Sequence, residues 1–194
     1  QLLAFPDQAQ ALGYLHHVPL PAPPPMWERE DGGLDRVQFY HLYDTWDIGR
    51  DSQWNRRFLH WQRRLRLRRR LPRWMPRLHG GSTYWSLGAP LVRHVVQVTR
   101  AQPALLRRFR HCFCAEELYL QTLLLNSPYA AQISNNNLRY IDWSGQYGRP
   151  LPAFLDQRDV QSALASEALF ARKIDSRHSL SFTQAVQCSW QQAS

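Results

Sequence analysis

The sequence predicts an α/β fold, with strands and helices mixed in one sheet-and-helix layer system. Three observations predict it. Short strand-like runs and helical periodicities alternate along the chain instead of segregating into halves. A hydrophobic fraction of 44% with eight tryptophans supplies a core. A length of 194 residues fits a single domain, 1–194, large enough to bury that core.

The elements follow in order. After Pro6, residues 8–17 read as a short helix, stopped by Pro19, Pro21 and the Pro23-Pro24-Pro25 run. Glu28 to Gly33 is a charged turn. Arg36 to Tyr43 alternates well enough for a strand, with Phe39 and the tyrosines contributing β-propensity. Trp54, Phe58, Trp61 and Leu65 then recur at helical spacing among arginines, which predicts a basic amphipathic helix over 54–70, closed by Pro72. Gly80-Gly81-Ser82 is a turn into a short buried strand at Thr83–Leu87. Pro90 to Val98 reads as a helix. Residues 115–125 form the clearest helix, with Glu116 and Glu117 in its first turn and Asn126-Ser127-Pro128 at its end. Leu138 to Trp143 is a strand, 144–152 a Gly/Pro-rich loop, and 156–166 a helix capped by Asp156.

Charge and cysteines exclude several classes. The net charge is +9, and 23 of the 24 basic residues are arginine, the one lysine being Lys173. No apolar run approaches the ~20 residues that cross a bilayer. There is no signal-peptide pattern at the N-terminus. Gln1 is not a methionine, so the chain reads as a piece cut from a longer one or as a processed end. Cys112, Cys114 and Cys188 are odd in number, and Cys-x-Cys is a poor spacing for a bridge or a metal, so all three read as free thiols. Neither Asp-x-Asp nor His-Glu-x-x-His is present, and no Gly-x-Ser-x-Gly elbow or phosphate-cradling glycine loop occurs. His16, His17 and His79 lack partners at ligand spacing.

Three places can carry chemistry. Adjacent residues on a helix point about 100° apart, so one of Glu116 and Glu117 at most faces a given site. An ionised carboxylate at a cleft edge accepts the proton of an attacking hydroxyl, whereas in a bland reading both glutamates only cap a turn. Arg172 and Lys173, after the apolar pair Leu169-Phe170, either neutralise a diphosphate leaving group in place of a metal or form a solvated basic pair. Trp143, beside Asp142, either stacks on a sugar ring or sits in the core at a strand end. The arginine-rich helix 54–70 is a solvated face, a membrane-surface contact or a nucleic-acid contact, and no recognised nucleic-acid motif accompanies it.

Four blocks resemble glycosyltransferase family 14, the core-2/I-branching and peptide O-xylosyltransferase family, in the family's order and over about half the chain. Gly81-Ser82-Thr83-Tyr84-Trp85-Ser86-Leu87 resembles its Gly-Ser-x-aromatic-aromatic-x-Leu strand. Glu116-Glu117-Leu118-Tyr119-Leu120-Gln121-Thr122, running to Asn126-Ser127-Pro128, resembles its acidic helix start with the Gln-Thr and Asn-Ser-Pro segments. Asn136 to Trp143 and Leu169 to Asp175 match two further blocks. Ala115-Glu116 departs from the family's Pro-Asp or Ala-Asp, while Glu117 is kept.

The resemblance implies the C-terminal part of a GT-A-like catalytic domain, its N-terminal nucleotide-binding half lying outside this chain. It implies an inverting enzyme that moves N-acetylglucosamine or xylose from a UDP-sugar to a glycan or protein hydroxyl, with no metal and no cofactor. The catalytic base falls on Glu117. Lys173 and Arg172 fall at the donor diphosphate, with Arg149 as the nearest match to the family's upstream arginine. Trp143 and Asp142 fall at the acceptor. Expected partners are therefore a UDP-sugar and an acceptor; the arginine-rich helix 54–70 by itself adds a membrane surface as one candidate contact, and no nucleic acid is expected. The rival expectations are an inactive or truncated relative, or a basic membrane- or nucleic-acid-binding module.

Overall fold

A computed structural model describes residues 11–21, 32–42 and 52–192. The sequence reads as a single domain over 1–194; the contacts of the described residues group into two compact units, within 9–135 and within 136–194. Both mix helices with small sheets, as an α/β chain does.

In the unit 9–135, β1 (Gly13–Leu15) runs between β4 (Trp85–Leu87), antiparallel, and β5 (Ile133–Ser134), parallel. β2 (Val18–Pro19) pairs with β3 (His79–Gly80). Within the described part of the helix expected over 8–17, residues 13–15 are thus strand and none is helix. β1 opens at Gly13, where a Cβ would come within 2.5 Å of the Leu91 side chain and 2.8 Å of Leu87. Tertiary packing of β1 under those leucines overrides the local helical pattern.

The strand expected over 36–43 is replaced by α1 (Asp35–Gln38) and chain without regular structure to Leu42, with Tyr43 outside the described residues. Gly32 and Gly33, both at positive φ, turn the chain so that Val37 enters the core fully buried.

The basic helix α2 (Gln53–Arg64) is capped by the Ser52 hydroxyl and stops six residues earlier than expected. Arg66 takes φ 54°, its N–H reaches the Arg63 carbonyl, and the Leu67 N–H reaches that of Gln62. That pair of bonds is a Schellman end, made by arginine where glycine is usual. α2 also faces the opposite way from a simple amphipathic reading. Asn55 and Gln62 are buried, bonding the Leu42 N–H and both backbone groups of Tyr40, while Trp54 and Trp61 are 72% and 57% exposed.

α3 (Ala89–Ala101), α4 (Pro103–Phe109) and α5 (Tyr119–Leu125) complete this unit. Leu15, Leu91, Leu124 and Ile133 form one apolar cluster; Val37, Leu105, Phe109, Leu118 and Leu123 belong to another. The helix expected over 115–125 is split. Ala115–Glu117 is a 3₁₀ turn, and Leu118 leaves helical geometry at φ −126° before α5 begins.

In the second unit, β6 (Arg139–Ile141) and β7 (Phe170–Arg172) pair in parallel. Between them a 3₁₀ turn (Gln157–Asp159) leads into α6 (Val160–Leu164), and α7 (Leu180–Gln192) follows β7. Asp156 caps the turn as expected, in a capping box with Asp159. Leu155, Val160 and Phe182 are the buried centre.

Candidate active site

The chain places Glu117 by a sharp local turn. Cys114, buried and at φ 48°, reverses direction, and its carbonyl accepts the Glu117 N–H at 3.0 Å. Leu118, fully buried, anchors the far side of the turn. Glu117 therefore stands just ahead of α5 rather than in its first turn. Of the two glutamates, Glu116 is exposed and Glu117 is held: its Oε2 lies 2.6 Å from Arg36 Nη1, with 29% of the Glu117 side chain still open. Arg36 is itself fixed, its guanidinium 5.5 Å over the Phe113 ring and its carbonyl accepting the Phe113 N–H. A charge-assisted bond to a stacked arginine orients a carboxylate well.

The Gly80-Gly81-Ser82 turn closes against the same segment. The Gly81 N–H donates to the Glu117 carbonyl at 2.9 Å, Gln121 Nε2 to the Ser82 carbonyl at 2.8 Å, and the Thr122 hydroxyl joins both backbone groups of His79. Only glycine fits at 81, since a Cβ there would lie 1.9 Å from the His16 carbonyl oxygen. Burial pushes the His16, His17 and His79 imidazoles down from the ordinary histidine value, and for His17 the nearby His79 and His16 add to the effect.

In the second unit the register of two strands collects the other expected residues. Ile141 pairs with Arg172, so Asp142 and Lys173 are the next residues out at the carboxyl ends of parallel strands, the end of a parallel sheet where ligands characteristically bind. Residues 153–155 stitch the two together: Ala153 donates to the Asp142 carbonyl, Lys173 to that of Ala153, and Leu155 to that of Lys173. The half-buried Lys173 ammonium lies 5.6 Å from the Phe154 ring centroid. Trp143 is 61% exposed, so it is not a core tryptophan and its ring face is open for stacking.

Arg149 does something the sequence did not indicate. Its Nη2 bonds Asp142 at 2.7 Å and Asp159 at 3.0 Å, and its Nη1 reaches Asp159 at 2.7 Å and Asp156 at 3.4 Å. Arg158 adds a second fork on Asp156. Bonds from Ser144 first, with the Arg149 charge, hold the Asp142 carboxyl below the usual range; Arg158 holds Asp156 down to about 2. A cavity of about 340 Å³ adjoins β7, lined by Tyr140, Phe170, Ile174, Phe182 and Trp190. Its largely apolar wall suits the non-polar part of a ligand, not a diphosphate.

The four blocks thus close pairwise. The turn at 81 meets the segment at Glu117 in one unit; Asp142, Trp143, Arg149, Arg172 and Lys173 gather at one strand edge in the other. Arg36, the partner that holds Glu117, is the residue that sequence reasoning missed. It is one arginine among 23 and stands in a stretch read as strand, so no local signal marked it.

No curated protein matches the chain. Residues 39–164 match the family described as Core-2/I-Branching enzyme, a span that contains Glu117, Asp142, Trp143 and Arg149 and ends before β7. With about two thirds of its length inside that match, the chain belongs to the core-2/I-branching family of glycosyltransferases.

Proposed function

We propose that the protein moves N-acetylglucosamine or xylose from a UDP-sugar to a glycan or protein hydroxyl, in one displacement that inverts the anomeric centre, with no metal and within a GT-A-like fold. The acceptor oxygen attacks the anomeric carbon as the bond from that carbon to the UDP oxygen breaks. Glu117 takes the acceptor's proton, and the bonding electron pair leaves with UDP. Lys173 and Arg172 offset the charge that develops on the diphosphate. Trp143 stacks on an acceptor sugar, with Asp142 beside it as a hydroxyl acceptor. Arg149, engaged by three carboxylates, acts on the diphosphate through the edge it holds, as a positioning residue.

The pairwise closure of the four blocks carries this reading. Residues far apart in sequence and named by one family resemblance converge on two compact clusters, one presenting a fixed carboxylate and the other an ammonium at a strand edge. The test is Glu117→Gln in the complete protein. Transfer should fall by roughly 10²–10⁴-fold, the usual worth of a positioned base, with UDP affinity by titration calorimetry unchanged. Undiminished turnover would end the assignment. Lys173→Ala should chiefly weaken donor binding, and EDTA should leave the rate unchanged; strong inhibition by EDTA would contradict the metal-free route.

A further inference from the structure

α2 carries its apolar residues on the outside. At ~100° per residue, Trp54, Phe58, Trp61 and Leu65 fall within an arc of roughly 60°, and all four are exposed. Buried Asn55 and Gln62 lie on one flank of that arc, while exposed Arg57 and Arg64 border the other. Beyond the helix the same character continues through exposed Leu67, Leu71 and Trp74. From Trp54 to Trp74 there are nine arginines and no acidic residue, and one of them, Arg57, lies 5.9 Å from the Trp54 ring.

Neither part of this surface explains itself. A solvated helix needs no tryptophan stripe, and contiguous exposed apolar surface on a soluble face marks an interaction site. Arg63 meets Asp35 at 3.4 Å and Arg69 bonds the Arg108 carbonyl, but the exposed Arg56, Arg57, Arg64, Arg70 and Arg73 remain to call for an anionic partner. Duplex nucleic acid would use the arginines but leave two indoles, a phenyl ring and a leucine in water. An acidic protein segment would satisfy the charge by side-chain pairing, without needing a straight stripe of aromatics. An anionic bilayer answers both demands, because indoles and leucines enter the acyl boundary while guanidinium groups stay at the lipid phosphates. We infer that α2 and the segment to Trp74 form a docking surface for an anionic lipid bilayer, lying in its interface and not crossing it. This inference does not depend on glycosyl transfer.

The probe is vesicle co-sedimentation with phosphatidylcholine alone against phosphatidylcholine containing phosphatidylglycerol. Partitioning should be at least about tenfold tighter on the anionic vesicles, since each basic group near such a surface contributes appreciably, and should weaken steeply with added salt. Trp54→Ser with Trp61→Ser should lower partitioning at least about tenfold at an unchanged circular dichroism spectrum, because both rings are exposed. Arg57→Gln with Arg64→Gln provides an independent variant and should reduce the preference for anionic lipid. Equal affinity for the two vesicles, no binding to either, or wild-type binding by the tryptophan pair overturns the proposal. So does tighter binding to duplex DNA that the same changes abolish. Self-association lost in the tryptophan pair while vesicle binding persists would assign the stripe to a second copy.

Discussion

Arg36 Nη1 lies 2.6 Å from Glu117 Oε2, across 81 positions of sequence, and joins a four-residue helix to the turn ahead of α5. Among the described residues Arg36 is the one partner of that carboxylate, so it sets which way the oxygens point.

Arg36→Ala is expected to reduce kcat by roughly 10–100-fold, with KM for the acceptor little changed, because misorienting a base by even an ångström has that kind of cost. The pair is partly open to solvent, so the stability change should stay within about 1 kcal/mol. Arg36→Lys should recover only part of the rate, since an ammonium restores the charge but not the planar stack on Phe113. Steady-state kinetics with thermal melts separate the effects. A wild-type kcat in the alanine variant would show that the pair is merely structural.

Gly81 and Gly148 make a matched contrast. Gly81→Ala drives a Cβ to 1.9 Å from a backbone oxygen, which cannot yield as a side chain can. The expected loss is about 3 kcal/mol, a melting shift of several degrees in a chain this long. Transfer should fall further than stability, because the displaced backbone is the one bonded to Glu117. Gly148→Ala meets nothing within 4 Å but sits at φ +64°, so its cost is the left-handed strain alone, about 1–2 kcal/mol. Equal melting temperatures for the two variants would refute the steric account.

What the sequence disclosed depended on how local the cause was. The Leu-rich α5, the valine-lined α3, the strand at 85–87 and the Asp156 cap all follow from patterns within a few residues. The strand at Gly13 does not, because its reason is Leu91 and Leu87, more than seventy positions away. Helix α2 ends at an arginine in left-handed geometry, so no glycine signals it. At the candidate site, Glu117 and Lys173 were singled out through their blocks, whereas the Arg36–Glu117 pair and the triple engagement of Arg149 are products of folding alone. The outward face of α2 was hidden in the same way. Periodicity located the stripe, and only the hydrogen bonds of Asn55 and Gln62 revealed which side is inward.

Arg149 is the hinge-pin of the second unit's strand edge. Its side chain is 12% exposed and those of Asp142 and Asp159 are 10% and 6%, so its removal strands mostly buried carboxylates. Arg149→Ala should cost about 1–3 kcal/mol, the penalty for leaving such groups without their partner in a network that lies close to the surface. Arg149→Lys should rescue little of this, because a single ammonium cannot serve three carboxylates at once. Urea denaturation of the two variants checks both statements. A loss below about 1 kcal/mol in the alanine variant would mean that the network is worth no more than an exposed ion pair.

Acid should act on the molecule in two separate windows. The His16, His17 and His79 imidazoles are lowered in the folded state, so the unfolded chain binds their protons more tightly. Stability from this source is complete above the ordinary histidine value of about 6.5 and is lost as pH falls through the depressed folded values. Asp142 and Asp156 are lowered as well, the latter to about 2. Their contribution persists until pH drops below the ordinary carboxylate value of about 3.9 and fades toward 2. Urea midpoints measured from pH 8 to pH 3 should therefore decline first below about 6.5 and again below about 4. His17→Gln should shrink the first decline and leave the second in place. A midpoint that stays flat between pH 7 and pH 5 would show that these histidines take up protons as readily in the fold as outside it.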